Sequence, residues 1–167
     1  MKANEYRTHN CNELRLADVG KEVRLAGWVQ KIRNLGKMTF IDLRDEFGIT
    51  QIIISDDEKL QEQLADIKTE CSISVTGEVA ERSNKNTEID TGDIEIIAKE
   101  IRILGKCRAV LPFEINQKDA QDVREDLRLE YRFLDLRNDK IHKNILLRSR
   151  IMKTIRDEMD RLGITEI

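Results

Sequence analysis

A small closed β-barrel followed by a helical tail is what this chain of 167 residues predicts, and three observations carry the prediction. Apolar and polar residues alternate in five short stretches between Leu25 and Leu104, the period of strands with one buried face. A single stretch between the third and fourth, Asp56 to Lys68, switches to a helical period. After Gly105 the helical period takes over, with the chain's one proline, Pro112, close to the change.

The elements follow in order. Met1 to Lys21 is polar apart from Leu14, Leu16 and Val19, and reads as a lead-in strand or turn. The first strand, Leu25 to Arg33, contains Gly27, which would let it bend as small barrels require. Trp28 is expected to face outward in a structural role. Asn34 to Lys37 and Asp45 to Gly48 are connections of hairpin length. They bound a second strand, Met38 to Arg44, and lead into a third, Ile49 to Ser55. In Asp56 to Lys68, Leu60, Leu64 and Ile67 recur at helical spacing, with Ser55 or Asp56 as N-cap. Cys71 to Arg82, where Ile73, Val75, Gly77 and Val79 alternate with polar residues, is the fourth strand. A turn-rich insert, Ser83 to Asp93, precedes the fifth, Ile94 to Leu104. Three strands, a helix and two strands suit the five-stranded Greek-key barrel of the OB-fold, whose usual ligands are oligonucleotides or oligosaccharides.

Beyond the barrel, Cys107 to Asn116 reads as an extended linker. Asp119 to Arg137 reads as a helix on Val123, Leu127, Tyr131 and Leu134. Asn138 or Asp139 then caps a helix whose stripe is Ile141, Ile145, Met152, Ile155, Met159 and Leu162, ended by Gly163. Ile164 to Ile167 looks like a strand just beginning, as in a chain cut from a longer one. The expected organisation is a barrel over 1–106, a linker with a helix over 107–137 and the start of a further domain over 138–167.

Composition narrows the class. Charged residues are 37% and hydrophobic residues 40% of the chain, so a modest core can form and low complexity is excluded. No apolar run approaches the ~20 residues of a membrane span, and the N-terminus has no signal-type apolar region. A soluble, intracellular, cytoplasmic protein is expected. Cys11, Cys71 and Cys107 are odd in number and far apart, which fits free thiols. With no CxxC and two lone histidines, His9 and His142, no zinc site is expected, and a catalytic thiol is disfavoured.

One segment departs from the acidic whole. The chain's net charge is −3, yet Lys21 to Arg44 holds six cations against two acids. A local positive field on an acidic protein suggests a polyanion docking there. Alternation places Thr39, Ile41 and Leu43 on one side of the second strand and Met38, Phe40, Asp42 and Arg44 on the other. In the third strand it sets Thr50, Ile52 and Ile54 against Ile49, Gln51, Ile53 and Ser55. With both apolar sets inside, Phe40 and Gln51 share the outer wall, where a ring can stack on an unpaired base and an amide can bind its edge. The competing reading makes Phe40 core or interface filler. Lys31, Lys37 and Arg44 are candidate phosphate contacts.

The runs GWV (Gly27 to Val29) and FIDLRD (Phe40 to Asp45), with Gly48 and Gln51, resemble the anticodon-binding domain of class II aspartyl-tRNA synthetases. RTHNCNEL (Arg7 to Leu14), similar to the bacterial type, TGDIEI (Thr91 to Ile96), LPFEI (Leu111 to Ile115) and RLEYRFLDLR (Arg128 to Arg137) match in the same order. Lysyl- and asparaginyl-tRNA synthetases share the barrel, and the collinear set favours the aspartyl type. The resemblance implies that Phe40 stacks on a central anticodon uridine and Gln51 reads its edge. It places Arg33 and Leu35 near the flanking bases and Arg82, Asn86 and Glu95 at the remaining ones. It further implies the aspartate tRNA as partner, and a homodimer built on the helix after Asn138. ATP and Mg²⁺ belong to the intact enzyme; no catalytic residue and no cofactor or metal site is expected in this stretch. Asn12 stands where the family pattern has glycine, and the segment between Asn86 and Thr91 is shorter than that pattern. Two other functions fit the bare residues: a general single-strand-binding module, and a structural or dimerising module.

Overall fold

In a computed structural model the chain is described at residues 3–36, 38–55, 57–107, 110–115 and 123–166. It divides into two compact units, Met1–Ala109 and Val110–Ile167.

Five strands, β1 (Glu22–Leu35), β2 (Met38–Arg44), β3 (Ile49–Ile54), β4 (Ser72–Glu81) and β5 (Ile94–Gly105), close into a barrel in the order β1-β2-β3-β5-β4. All neighbours are antiparallel except β3 and β5, which run parallel at Ile52–Ile96 and Ile53–Ile97. The OB-type barrel expected from the sequence is the fold observed. β1 is longer than anticipated because two partners share it: Glu22 to Trp28 pairs with β4, and Trp28 to Leu35 with β2. Between Val29 and Lys31 the register slips, so Gln30 forms a bulge that re-aims the strand.

Inside sit Val23, Leu25 and Val29 of β1, Ile41 and Leu43 of β2, Ile52 and Ile54 of β3, Ile73, Val75 and Val79 of β4, and Ile94, Ile96 and Ile101 of β5, all buried. Such β-branched and leucyl side chains suit a pleated wall with one dry face. Helix α1 (Glu58–Leu64) plugs one end with Leu60, and Ile67 follows it inward. Its cap is Asp57, which accepts from the N–H groups of Lys59 and Leu60. Ser55 or Asp56 was the sequence expectation, and Asp56 lies outside the described residues. Gly27 serves a different need from the expected bend. A Cβ there would lie 2.3 Å from the carbonyl oxygen of Arg44, and one on Gly77 the same distance from that of Ile97, so both allow close backbone approach.

The lead-in is a strap rather than a strand. It forms a 3-10 turn at Leu16–Asp18 and buries Cys11 and Leu14. Asp45, at the β2–β3 turn, accepts from the Phe47 and Gly48 N–H groups and from that of Cys11 at 2.9 Å. Asn12 needs no left-handed backbone, since among described non-glycine residues only Glu70 has positive φ.

In the second unit the single helix expected over Asp119 to Arg137 is two short ones within the described residues. They are α2 (Glu125–Glu130) and α3 (Arg132–Asp135), broken at Tyr131. The break lets Arg128 and Arg132 both reach the buried carboxylate of Asp135. Asn138 caps α4 (Asp139–Arg161) through Oδ1, while its Nδ2 donates to the Ile115 carbonyl at 2.7 Å. Gly163, with φ +77°, ends the helix, and residues 164–166 form no strand. No described helix is long and apolar enough to cross a membrane.

Candidate nucleic-acid interface

Register fixes what shares the outer wall. Across β1 and β2, Lys31 stands opposite Asp42 and Arg33 opposite Phe40; across β2 and β3, Phe40 meets Ile53 and Asp42 meets Gln51. β5 continues the row with Ile97 beside Ile53, and Glu95 points outward between the buried Ile94 and Ile96. The expected pair of ring and amide therefore lies on one face. Phe40 is half-buried and Ile97 is exposed, so ring and aliphatic surface form a shelf with polar groups at its edge.

Gln51 is not the free amide the sequence suggested, being only 4% exposed. Its neighbours close over it: Arg33 Nη2 donates to Asp42 Oδ1 at 2.6 Å and to Gln51 Oε1 at 3.1 Å, and Gln51 Nε2 donates to Glu95 Oε2 at 2.8 Å. Burying one polar side chain costs little when each end finds a partner. The result is a polar chain Asp42–Arg33–Gln51–Glu95 laid across three strand boundaries.

Burial pushes the Glu95 carboxyl above the usual glutamate range, while the Gln51 hydrogen bond and the Arg82 charge pull the other way. The native barrel thus keeps that proton at pH values where the unfolded chain has released it. Through this group folding is favoured below the ordinary carboxylate range, and the contribution is lost as pH rises through the native value. Glu95→Gln removes the titration. Urea midpoints between about pH 4 and 7 should diverge in the variant's favour as pH rises; parallel curves would contradict the assignment.

The other candidates separate. Lys31 is exposed beside Asp42, and Leu35, 67% exposed, stands at the end of the β1–β2 hairpin. Arg82 lies near enough to Glu95 to act on its carboxyl, tying the start of the 82–93 insert to this face. Asn86 spends Oδ1 on the Glu88 N–H at 2.9 Å and its own N–H on the Gly92 carbonyl at 3.0 Å, shaping that insert. Lys37 lies outside the described residues.

Arg44 is a correction. It is 3% exposed, and its Nη2 donates to both carboxylate oxygens of Glu70 at 3.0 Å, so it holds the barrel together instead of meeting a phosphate. The same folding discounts the local charge excess, because Lys21 pairs with Asp18 and Arg33 with Asp42. Asp42 was visible as Phe40's neighbour on one face, but its role needed the β2–β3 register. Ile53 and Ile97 gave no separate signal. Burial and the Asp45 carboxylate push the Cys11 thiol well up, the reverse of an activated nucleophile.

Comparison with known proteins gives two family matches: "OB-fold nucleic acid binding domain" over residues 23–104 and "tRNA synthetases class II (D, K and N)" over residues 124–167. An aspartate–tRNA(Asp/Asn) ligase of Rickettsia canadensis is 50% identical over 166 residues, covering 97% of this chain and 27% of the relative. An aspartate–tRNA ligase of Streptomyces avermitilis is 46% identical over 164 residues, with the same shares. The chain thus spans about a quarter of the length of these relatives. An aspartyl-tRNA synthetase structure from Entamoeba histolytica superposes with a TM-score of 0.85 over 99% of this chain and 38% of that one, at 22% identity, a likeness of fold.

Proposed function

Since the chain belongs to the class II tRNA synthetases of the D, K and N group, carrying their OB-fold nucleic acid binding domain, we propose that it binds the anticodon loop of the aspartate tRNA on the outer wall of β1, β2, β3 and β5. The observation that carries this reading is the shelf of Phe40, Ile53 and Ile97 edged by Arg33, Asp42, Gln51 and Glu95. Unstacked bases lie on such a shelf, because every base has a π-face and single strands leave it uncovered. Phe40 takes the central uridine and Gln51 meets its edge. Arg33, Leu35, Arg82, Asn86 and Glu95 attend the neighbouring bases, and Lys31 and Lys37 hold phosphates.

The intact protein is an aspartate–tRNA ligase of the cytoplasm, a homodimer that activates aspartate with ATP and Mg²⁺. In that protein this barrel holds the tRNA while the chemistry proceeds elsewhere. No ATP, Mg²⁺ or amino-acid step is assigned to residues of this chain.

Phe40→Ala is expected to weaken binding of an anticodon stem-loop by about 1 to 3 kcal/mol, the range for one lost base stack. Fluorescence titration at fixed salt measures it, with circular dichroism to verify the fold. Unchanged affinity in a folded variant would remove the stacking surface. Equal affinity for unrelated oligonucleotides would favour a general single-strand binder.

A further inference from the structure

Gln51 is held between a cation and, once Glu95 has ionised, an anion. Its Oε1 accepts from Arg33 at 3.1 Å, and its Nε2 donates to Glu95 at 2.8 Å. Turning the amide over would set its NH2 group against guanidinium donors and its oxygen against a carboxylate, leaving both contacts without a shared proton. Arg33 is itself anchored, because the Nη2 that reaches Gln51 also reaches Asp42 at 2.6 Å. Asp42 stands directly opposite Gln51 in the β2–β3 register, so the carboxylate steers the guanidinium diagonally past Phe40 and over the amide.

We propose that Asp42 is a positioning residue for base discrimination: by anchoring Arg33 it locks the Gln51 amide in one orientation, and the lock lets the site tell uracil from cytosine. The proposal rests on the reading of Gln51 as the group that meets a base edge. A side-chain amide can make two hydrogen bonds to either pyrimidine. Uracil presents the O4 acceptor beside the N3–H donor; cytosine presents a 4-amino donor beside the bare N3 acceptor. For a base seated in one pose on Phe40, uracil needs the amide NH2 opposite position 4, and cytosine needs the amide oxygen there. An amide free to rotate satisfies both bases. One pinned at each end satisfies one of them and leaves the other facing donor on donor and acceptor on acceptor.

The test is the ratio of affinities of the full 167-residue chain for two anticodon-type RNA hairpins that differ only by U or C at the central loop position. It is measured by fluorescence anisotropy at fixed salt for the unsubstituted chain, Asp42→Asn and Asp42→Glu. Removing a carboxylate strengthens binding to both hairpins alike through net charge, and the ratio cancels that effect. A preference of roughly tenfold or more in the unsubstituted chain is expected to fall to about two- to threefold in Asp42→Asn and to return in Asp42→Glu. Arg33→Lys, which keeps a cation without the fork, is expected to lose the preference as Asp42→Asn does. A ratio unchanged in Asp42→Asn, or lost equally in Asp42→Glu, overturns the proposal. A ratio near one in the unsubstituted chain overturns the edge reading itself, and the proposal with it.

Discussion

Glu70→Ala should destabilise the barrel by about 3 to 5 kcal/mol, the cost of stranding a buried charge whose partner has been removed. The Arg44 and Glu70 side chains are 4% and 5% exposed, and both carboxylate oxygens accept from one guanidinium nitrogen, Arg44 Nη2, at 3.0 Å. Alanine leaves that cation in a dry seam where Arg44 Nη1 already has no hydrogen-bond partner among the described residues. Backbone strain does not confuse the result. Glu70 has φ +65°, alanine carries the same Cβ there, and the Glu70 N–H still reaches the Val29 carbonyl at 2.7 Å. Chemical denaturation measures the loss, and the exposed pair Lys106–Asp66 supplies a control whose removal leaves stability nearly unchanged. A change below about 1 kcal/mol for Glu70→Ala would show that water reaches the seam.

Ile52→Ala should cost about 2 to 5 kcal/mol, while Ile53→Ala, one residue along, costs far less and weakens RNA binding instead. Ile52 is fully buried, between Ile41 on β2 and Ile96 on β5. That places it at the parallel β3–β5 seam that closes the barrel, where few pairs are available to share the loss. Its removal leaves a cavity that stiff, β-branched neighbours fill poorly. Ile53 faces the other way, beside Phe40 and Ile97. The contrast checks register directly, since a slip of one residue exchanges the two outcomes. Urea midpoints and hairpin titrations on both variants give the comparison, and equal losses of stability would refute the assigned faces.

Much of this was legible in the chain because strands and helices impose different periods on the sequence. Alternation along Met38 to Arg44 and Ile49 to Ser55 put Ile41, Leu43, Ile52 and Ile54 inside and Phe40 outside, as the structure does. The helix over Asp119 to Arg137 misled for a related reason. A stripe at spacings of four, four and three describes one face of a continuous helix, but it carries no trace of a buried Asp135 that draws in Arg128 and Arg132 from either side of Tyr131. The cation count over Lys21 to Arg44 failed similarly. Counting along a segment omits Glu70, 26 residues past Arg44, which turns a supposed phosphate contact into a buried strut.

The sequence by itself determined the barrel, its inner and outer faces and the family to which the chain belongs, because period, turn residues and collinear motifs are all local properties. Only tertiary structure decided what the outer side chains do to one another. The bulge at Gln30 sets which residue of β1 faces Phe40, and the parallel pairing of β3 with β5 brings Glu95 within reach of Gln51. The Gln51–Glu95 contact joins groups 44 residues apart. The direction of a carboxamide between two opposite charges depends on distances that arise only when the sheet closes on itself.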